Sequence, residues 1–113
     1  MNYRLFSILY QESLESTDYE SFMTTHLKQA WLAEYTNIHP ATTILYEIYQ
    51  LSHRTLTELY GHAGMSQTKF AISYNIPISK VKDWDTGVLT APDFLKMLVA
   101  YTIFMENDSR SSI

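Results

Sequence analysis

The sequence predicts an all-α fold, a helical bundle with an N-terminal helical extension. Three observations lead there. Apolar residues recur at three- and four-residue steps rather than in alternation. Only 3 Gly and 3 Pro interrupt a chain of 113 residues. Hydrophobic side chains make up 46% of it, enough to form a core and to argue against wholesale disorder. The length suits one domain, or a small domain with an extension. The extension is predicted over residues 1–40, the main domain over 41–106, and a disordered tail with three Ser over 107–113.

In chain order, residues 2–11 carry Tyr3, Phe6, Ile8 and Tyr10, a short helix of ambiguous period. Residues 12–18 read as a polar connection. Thr17 or Asp18 is placed to cap a helix beginning near Tyr19, because its side-chain oxygen accepts from the free N–H groups of the first turn. That helix carries Phe22, Met23, Leu27, Ala30, Trp31 and Leu32 close to one face. Pro40 ends the pattern and opens the next helix. Residues 41–53 then place Ile44, Leu45, Ile48, Tyr49 and Leu51 at helical spacing. Two continuations are open: the helix runs on through Leu56, Leu59 and Tyr60, or it restarts near Thr55. Gly61 and Gly64 mark its end.

Ser66 caps the following helix, whose inner face is Phe70, Ala71 and Tyr74. Asn75 suits the left-handed conformation of a sharp turn. Ile76 packs inward and Pro77 starts the next helix, where a missing N–H costs nothing. Val81 and Trp84 share a face three residues apart, and Trp84 is expected in the core. Gly87 ends this helix. A last helix follows residues 90–92 and is expected to use Phe94, Leu95, Leu98, Val99, Ile103 and Phe104.

Several function classes find little support. There is no Cys, so no disulfide framework, thiolate zinc site or Cys nucleophile exists; this fits a reducing cytoplasm. The N-terminal apolar run is broken by Gln11 and Glu12 and reads as part of the fold, not as a signal peptide. No apolar run is long enough to span a bilayer. His26, His39, His53 and His62 lack metal-ligand spacing, so no metal or cofactor is expected. Asp83 and Asp85 diverge on a helix and read as surface or helix-end residues rather than a catalytic pair. No Gly-rich phosphate loop or nucleophile elbow appears, so no catalytic residue and no enzyme activity are expected.

Net charge is −4, unevenly spread. Residues 1–53 hold two basic and six acidic side chains; residues 54–105 hold five and four. The segment from Ser66 to Gly87 is therefore near neutral while the N-terminal part is acidic. That part is also aromatic, with Tyr3, Phe6, Tyr10, Tyr19, Phe22, Trp31 and Tyr35. Phe22 and Trp31 are expected inside. Some Tyr must stay at the surface, since so short a chain has limited interior.

Ser66-Gln67, Phe70-Ala71, Asn75-Ile76-Pro77, Val81, Trp84 and Gly87 together form a helix-turn-helix pattern. The set resembles the phage-repressor (Cro- or XRE-type) family, and within it a group of short regulators frequent in Gram-positive bacteria. The resemblance covers about residues 56–104 and is weak over 1–40. It implies a second helix that enters the major groove while the first braces it. Carried over by position, Ile78, Ser79 and Asp83 fall at base-facing places. Gln67 falls at a phosphate-contacting and bracing place, and Thr86 at a further phosphate contact. Lys69, Lys80 and Lys82 add phosphate-directed charge. The sequence departs from the family at Asp83, where relatives often carry Arg, and at Val88-Leu89, where a Lys-Arg pair often follows the Gly. Ile78 can touch only a thymine methyl, and Asp83 can accept from cytosine N4 but repels phosphates.

The expected function is a small cytoplasmic transcriptional regulator that reads double-stranded DNA, with a homodimer implied by two-fold operators. An alternative from another class is a protein-interaction module, antitoxin-like or inhibitory, with the helix pair as scaffold and the acidic, Tyr-rich N-terminal region facing a protein partner.

Overall fold

The computed structural model describes residues 1–26 and 41–111, with side chains described at 1–26 and 42–106. Within them the chain is all-α, as predicted: α1 Tyr3–Glu15, α2 Tyr19–His26, α3 Ala41–Ser52, α4 Leu56–His62, α5 Gln67–Ser73, α6 Ile78–Thr86 and α7 Asp93–Ser111. The expected helix positions Leu27, Ala30, Trp31 and Leu32, together with Tyr35, His39 and the break at Pro40, lie outside the described residues.

The chain divides into two compact units, Met1–His53 with Phe104–Ile113, and Arg54–Ile103. The helix over 41–52 thus groups with the N-terminal residues. Its apolar stripe, Ile44, Leu45, Ile48 and Leu51, is fully buried, and α1 and α2 both pack on it. Burying such a side chain stabilises a fold by about 1.5–3 kcal/mol, which is why this stripe sets the grouping.

In the first unit, α1 is longer than its sequence pattern implies. Asn2 caps it, its side-chain oxygen accepting from the Leu5 N–H at 2.8 Å, and the helix runs on through Glu15. Two polar residues of the predicted connection lie on α1 instead, Ser13 buried and Glu12 half-exposed. Ser13 is fully buried and its hydroxyl meets Ser52 of α3 at 2.8 Å. Glu12 meets Nε2 of the buried His26 at 2.6 Å. Phe6, Leu9, Tyr10, Phe22 and Met23 complete this core, and Phe104 closes on Phe6 at 5.4 Å between ring centroids. Asp18 caps α2 as expected, accepting from the Ser21 N–H at 2.7 Å.

In the second unit, α4 restarts rather than continuing α3. Thr55 forms a capping box with Glu58, accepting from its N–H at 3.1 Å while Glu58 accepts from Thr55 N–H at 3.0 Å. That reciprocal pair satisfies two end donors at once. Gly61 lies inside α4; Gly64 is the residue with positive φ, at 79°. The core is Leu56, Leu59, Tyr60, Phe70, Ala71, Val81, Val99, Ala100 and Ile103. Tyr60 stacks on Phe70 at 4.7 Å.

α7 corrects two sequence expectations. Phe94 and Leu98 are 63% and 41% exposed, whereas Val99, Ala100 and Ile103 are buried. Phe94 and Leu98 lie four apart on the side opposite Val99 and Ile103, so one helix cannot bury both sets on one core. The helix also continues to Ser111, beyond Asn107 where the sequence predicts fraying. Among the described residues no helix is long and apolar enough to cross a membrane.

Candidate nucleic-acid interface

α5 and α6 are joined by residues 74–77, and each end of the turn has a local cause. Ser66 accepts from the Lys69 N–H at 3.0 Å and starts α5. Asn75 takes φ 53°, the left-handed region in which Asn is tolerated. The Ile76 N–H returns to the Ala71 carbonyl at 2.8 Å. Pro77 stands one residue before α6 as its N-cap and supplies the carbonyl for Lys80 N–H at 2.9 Å. Gly87 closes α6 at φ 82°, and Leu89 N–H reaches back to the Asp83 carbonyl at 3.2 Å. Ala71 is buried between the two helices and has the small side chain that close packing needs.

The two sides of α6 differ in chemistry. Val81 is fully buried. Ser79, Lys82, Asp83 and Thr86 fall at three- and four-residue steps on the opposite side, with Lys80 beside them. Ser79, Lys80, Lys82 and Thr86 are exposed, Asp83 is half-buried, and Ile78 is 37% exposed at the first turn. Lys69 is exposed on α5. Thr86 donates its hydroxyl to the Lys82 carbonyl at 2.9 Å, so its proton is committed to the helix. Ile78 also borders a shallow dent formed with Thr68, Ile72 and Ile76, where Ile72 is 75% exposed.

Asp85 stands in the last turn of α6, half-buried, a helix-end residue as the sequence suggests, but its carboxylate does not face outward beside Asp83. One turn past Val81, it points to the inner side and accepts three side-chain hydrogen bonds. Thr57 Oγ1 donates to its Oδ1 at 2.6 Å, Gln67 Nε2 donates to its Oδ2 at 2.7 Å, and the Tyr60 hydroxyl donates to Oδ2 as well. One carboxylate therefore ties α4, α5 and α6 together. Burial pushes its pKa up, but the bonds from Thr57, Tyr60 and Gln67 outweigh burial and leave it below the usual aspartate value. Burial, and then the bond to Asp85 and its charge, raise the Tyr60 phenol above its usual value. The available signal was the four-residue step from Val81, which puts Asp85 on the packed side.

Gln67, expected to brace the second helix, does so through Asp85. Trp84 differs from expectation: it is half-buried and lines a cleft with Thr55, Leu56, Leu89 and Lys96. Burial lowers the Lys96 pKa, and the charges of Asp93 and Glu58 partly offset this.

One further constellation resembles a nucleophile and base. Ser52 Oγ lies 3.0 Å from His53 Nδ1. Ser52 is fully buried and donates to the Tyr49 carbonyl at 2.9 Å. His53 Nδ1 also lies 2.9 Å from that carbonyl, which can only accept, so Nδ1 carries the proton. The ring nitrogen facing Ser52 is thus a donor and not a base. The group locks α1 to α3 through Ser13. Among the described residues no three His, Asp or Glu side chains gather as a metal site.

No protein-family model matches the chain, and neither a curated protein nor a solved structure matches it.

Proposed function

We propose that the chain is a small transcriptional regulator of the phage-repressor type, which binds duplex DNA with α6 in the major groove and α5 across it. The observation that carries this reading is the inward turn of Asp85. With that carboxylate bound by Thr57, Tyr60 and Gln67, the outer side of α6 presents Ser79, Lys80 and Lys82 against the single carboxylate of Asp83.

Ser79 offers a hydroxyl to base edges, Ile78 offers an apolar contact for a thymine methyl, and Asp83 selects cytosine N4 over a second acceptor. Lys69, Lys80 and Lys82 meet phosphates. Gln67 gives one amide proton to Asp85 and keeps a second for a phosphate oxygen. Base readout is thin, so a cytoplasmic homodimer on two half-sites about 34 Å apart supplies the affinity that one copy lacks.

The test is selection from a random duplex pool at two salt concentrations with the full chain. Enrichment of a two-fold sequence, with affinity falling by about 0.9 in log units per phosphate contact per log unit of salt, supports the reading. A folded protein that enriches nothing at low salt overturns it.

A further inference from the structure

The first unit carries a row of aromatic rings where α2 meets α3. Tyr19 meets Tyr46 edge-on, with centroids 5.9 Å apart and planes at 89°. Tyr19 meets Tyr49 at 5.1 Å and 72°. Tyr49 then stacks on His53 at 4.2 Å and 29°. On α3 the residues Tyr46, Tyr49 and His53 follow three- and four-residue steps, so they form one stripe. That stripe lies off the buried one of Ile44, Leu45, Ile48 and Leu51. Tyr46 is 51% exposed, Tyr19 and Tyr49 are half-buried, and His53 is exposed. Such large rings kept in mutual contact at a surface form a rigid platform of little conformational freedom, the kind of surface enriched in protein interfaces.

Within α2, its cap and α3 the charge has one sign, although Arg54 follows His53 at the far end of the row. Neither α2 nor α3 contains a Lys or Arg. Asp18 and Glu20 flank Tyr19, and both are exposed. Asp18 is held by the Ser21 N–H at the start of α2, and this bond, with the Ser21 side chain, lowers its pKa. It stays charged through the neutral range. An aromatic face attracts a cation through its quadrupole, and a fixed carboxylate nearby adds to that attraction.

We propose that the Tyr19–Tyr46–Tyr49 row, with Asp18 and Glu20 beside it, is a docking surface for a lysine- or arginine-bearing segment of a protein partner. Charge complementarity selects that occupant over an acidic or purely apolar one, and over the phosphate backbone expected at α6. The basic side chain lies against the exposed Tyr46 ring with its charged end toward the carboxylates. This surface is independent of the DNA reading, since none of its residues lies on α4, α5 or α6.

The experiment uses the full chain and three labelled peptides of equal length, built from lysine and alanine, arginine and alanine, or glutamate and alanine. Anisotropy titrations are run at low and moderate salt. The basic peptides are expected to bind and the acidic one not. Tyr46→Ala weakens binding by about three- to fivefold, whereas Tyr46→Phe, which keeps the ring, stays close to the parent. Asp18→Asn with Glu20→Gln weakens it by a similar factor. Tyr46 is exposed, so these variants keep their helical circular dichroism, which is checked. Ser79→Ala with Lys82→Ala leaves peptide binding unchanged whatever it does to DNA. The proposal is overturned if Tyr46→Ala and the carboxylate variants bind as the parent does, if Tyr46→Phe loses as much as Tyr46→Ala, if the acidic peptide binds equally, or if Tyr46→Ala instead abolishes self-association of the chain without changing peptide binding.

Discussion

Gln67 donates its side-chain amide to Asp85 across 2.7 Å, so the first residue of α5 holds the last turn of α6. The same carboxylate takes hydrogen bonds from Thr57 and Tyr60 of α4. Asp85→Ala leaves three donors without their acceptor. The expected cost is about 1–3 kcal/mol, within the range for stranding partly buried polar groups. Urea unfolding of parent and variant measures it; an unchanged midpoint means that the three donors find water at no cost.

The pH dependence of this node has a definite sign. The folded pKa of Asp85 lies below the usual 3.8, so the folded state prefers the ionised form. That stability is present above the unfolded value and is lost as pH falls through the folded one. Tyr60 is shifted upward from 10.0. Its contribution is present below the unfolded value and is lost as pH rises through the folded one. The caps Asp18 and Glu58 are shifted downward and act in the same acid window. Asp85→Asn is therefore expected to flatten part of the acid limb of stability against pH and leave the neutral plateau level. Urea midpoints between pH 2 and 7, taken as the roughly relevant window for carboxylate linkage, test this; identical acid limbs in both proteins refute it.

Several helix ends were legible in the sequence because each rests on one local interaction. Ser66 and Asp18 cap, Asn75 turns, and Gly87 stops α6, all through atoms within a few residues; the ends of α1 and α7 were not, and the restart at Thr55 was one of two readings. The sides that helices present were legible only where one apolar stripe exists, as in α3. α7 has two, so Phe94 and Leu98 were assigned inward although Val99 and Ile103 win that place. Ser13 is buried, and the half-exposed Glu12 turns toward the buried His26, because partners distant in sequence, Ser52 and His26, satisfy them. Asp85 is the same case, with Thr57 28 residues away. The partners in such pairings are three-dimensional neighbours, and only Asp85 left a local trace, its four-residue step from Val81. The halves of the candidate site thus differ: the packed half of α5 and α6 follows from spacing, whereas the charge balance of its outer half depended on where Asp85 went.

Backbone conformation gives a cleaner test at the end of α6. Gly87 has φ 82°, and a Cβ added there would meet nothing within 4 Å. The cost of Gly87→Ala is therefore backbone strain alone, about 1 kcal/mol. Asn75, at φ 53°, is expected to accept Gly with little change and to reject the β-branched Val. Thermal unfolding of Gly87→Ala, Asn75→Gly and Asn75→Val ranks these costs. Equal stability of Asn75→Gly and Asn75→Val contradicts a left-handed turn at this position.

The outer side of α6 is tested by changing its charge without touching its packing. Ser79, Lys82 and Asp83 lie opposite Val81, so substitutions there should alter stability by less than about 1 kcal/mol. If α6 enters the major groove, Ser79→Ala with Lys82→Ala weakens DNA binding, and loss of the Lys82 phosphate contact lowers the salt slope by about 0.9 per copy. Asp83→Asn acts in the opposite direction. It removes the one carboxylate on this side, so affinity for unrelated duplexes rises while any preference for cytosine at its position falls. The two variants together discriminate better than either alone, because a merely destabilised protein would lose affinity in both. Binding measured by anisotropy at two salt concentrations, beside urea midpoints for each variant, gives the comparison. If Asp83→Asn leaves non-specific affinity and its salt slope unchanged, α6 does not face the phosphates.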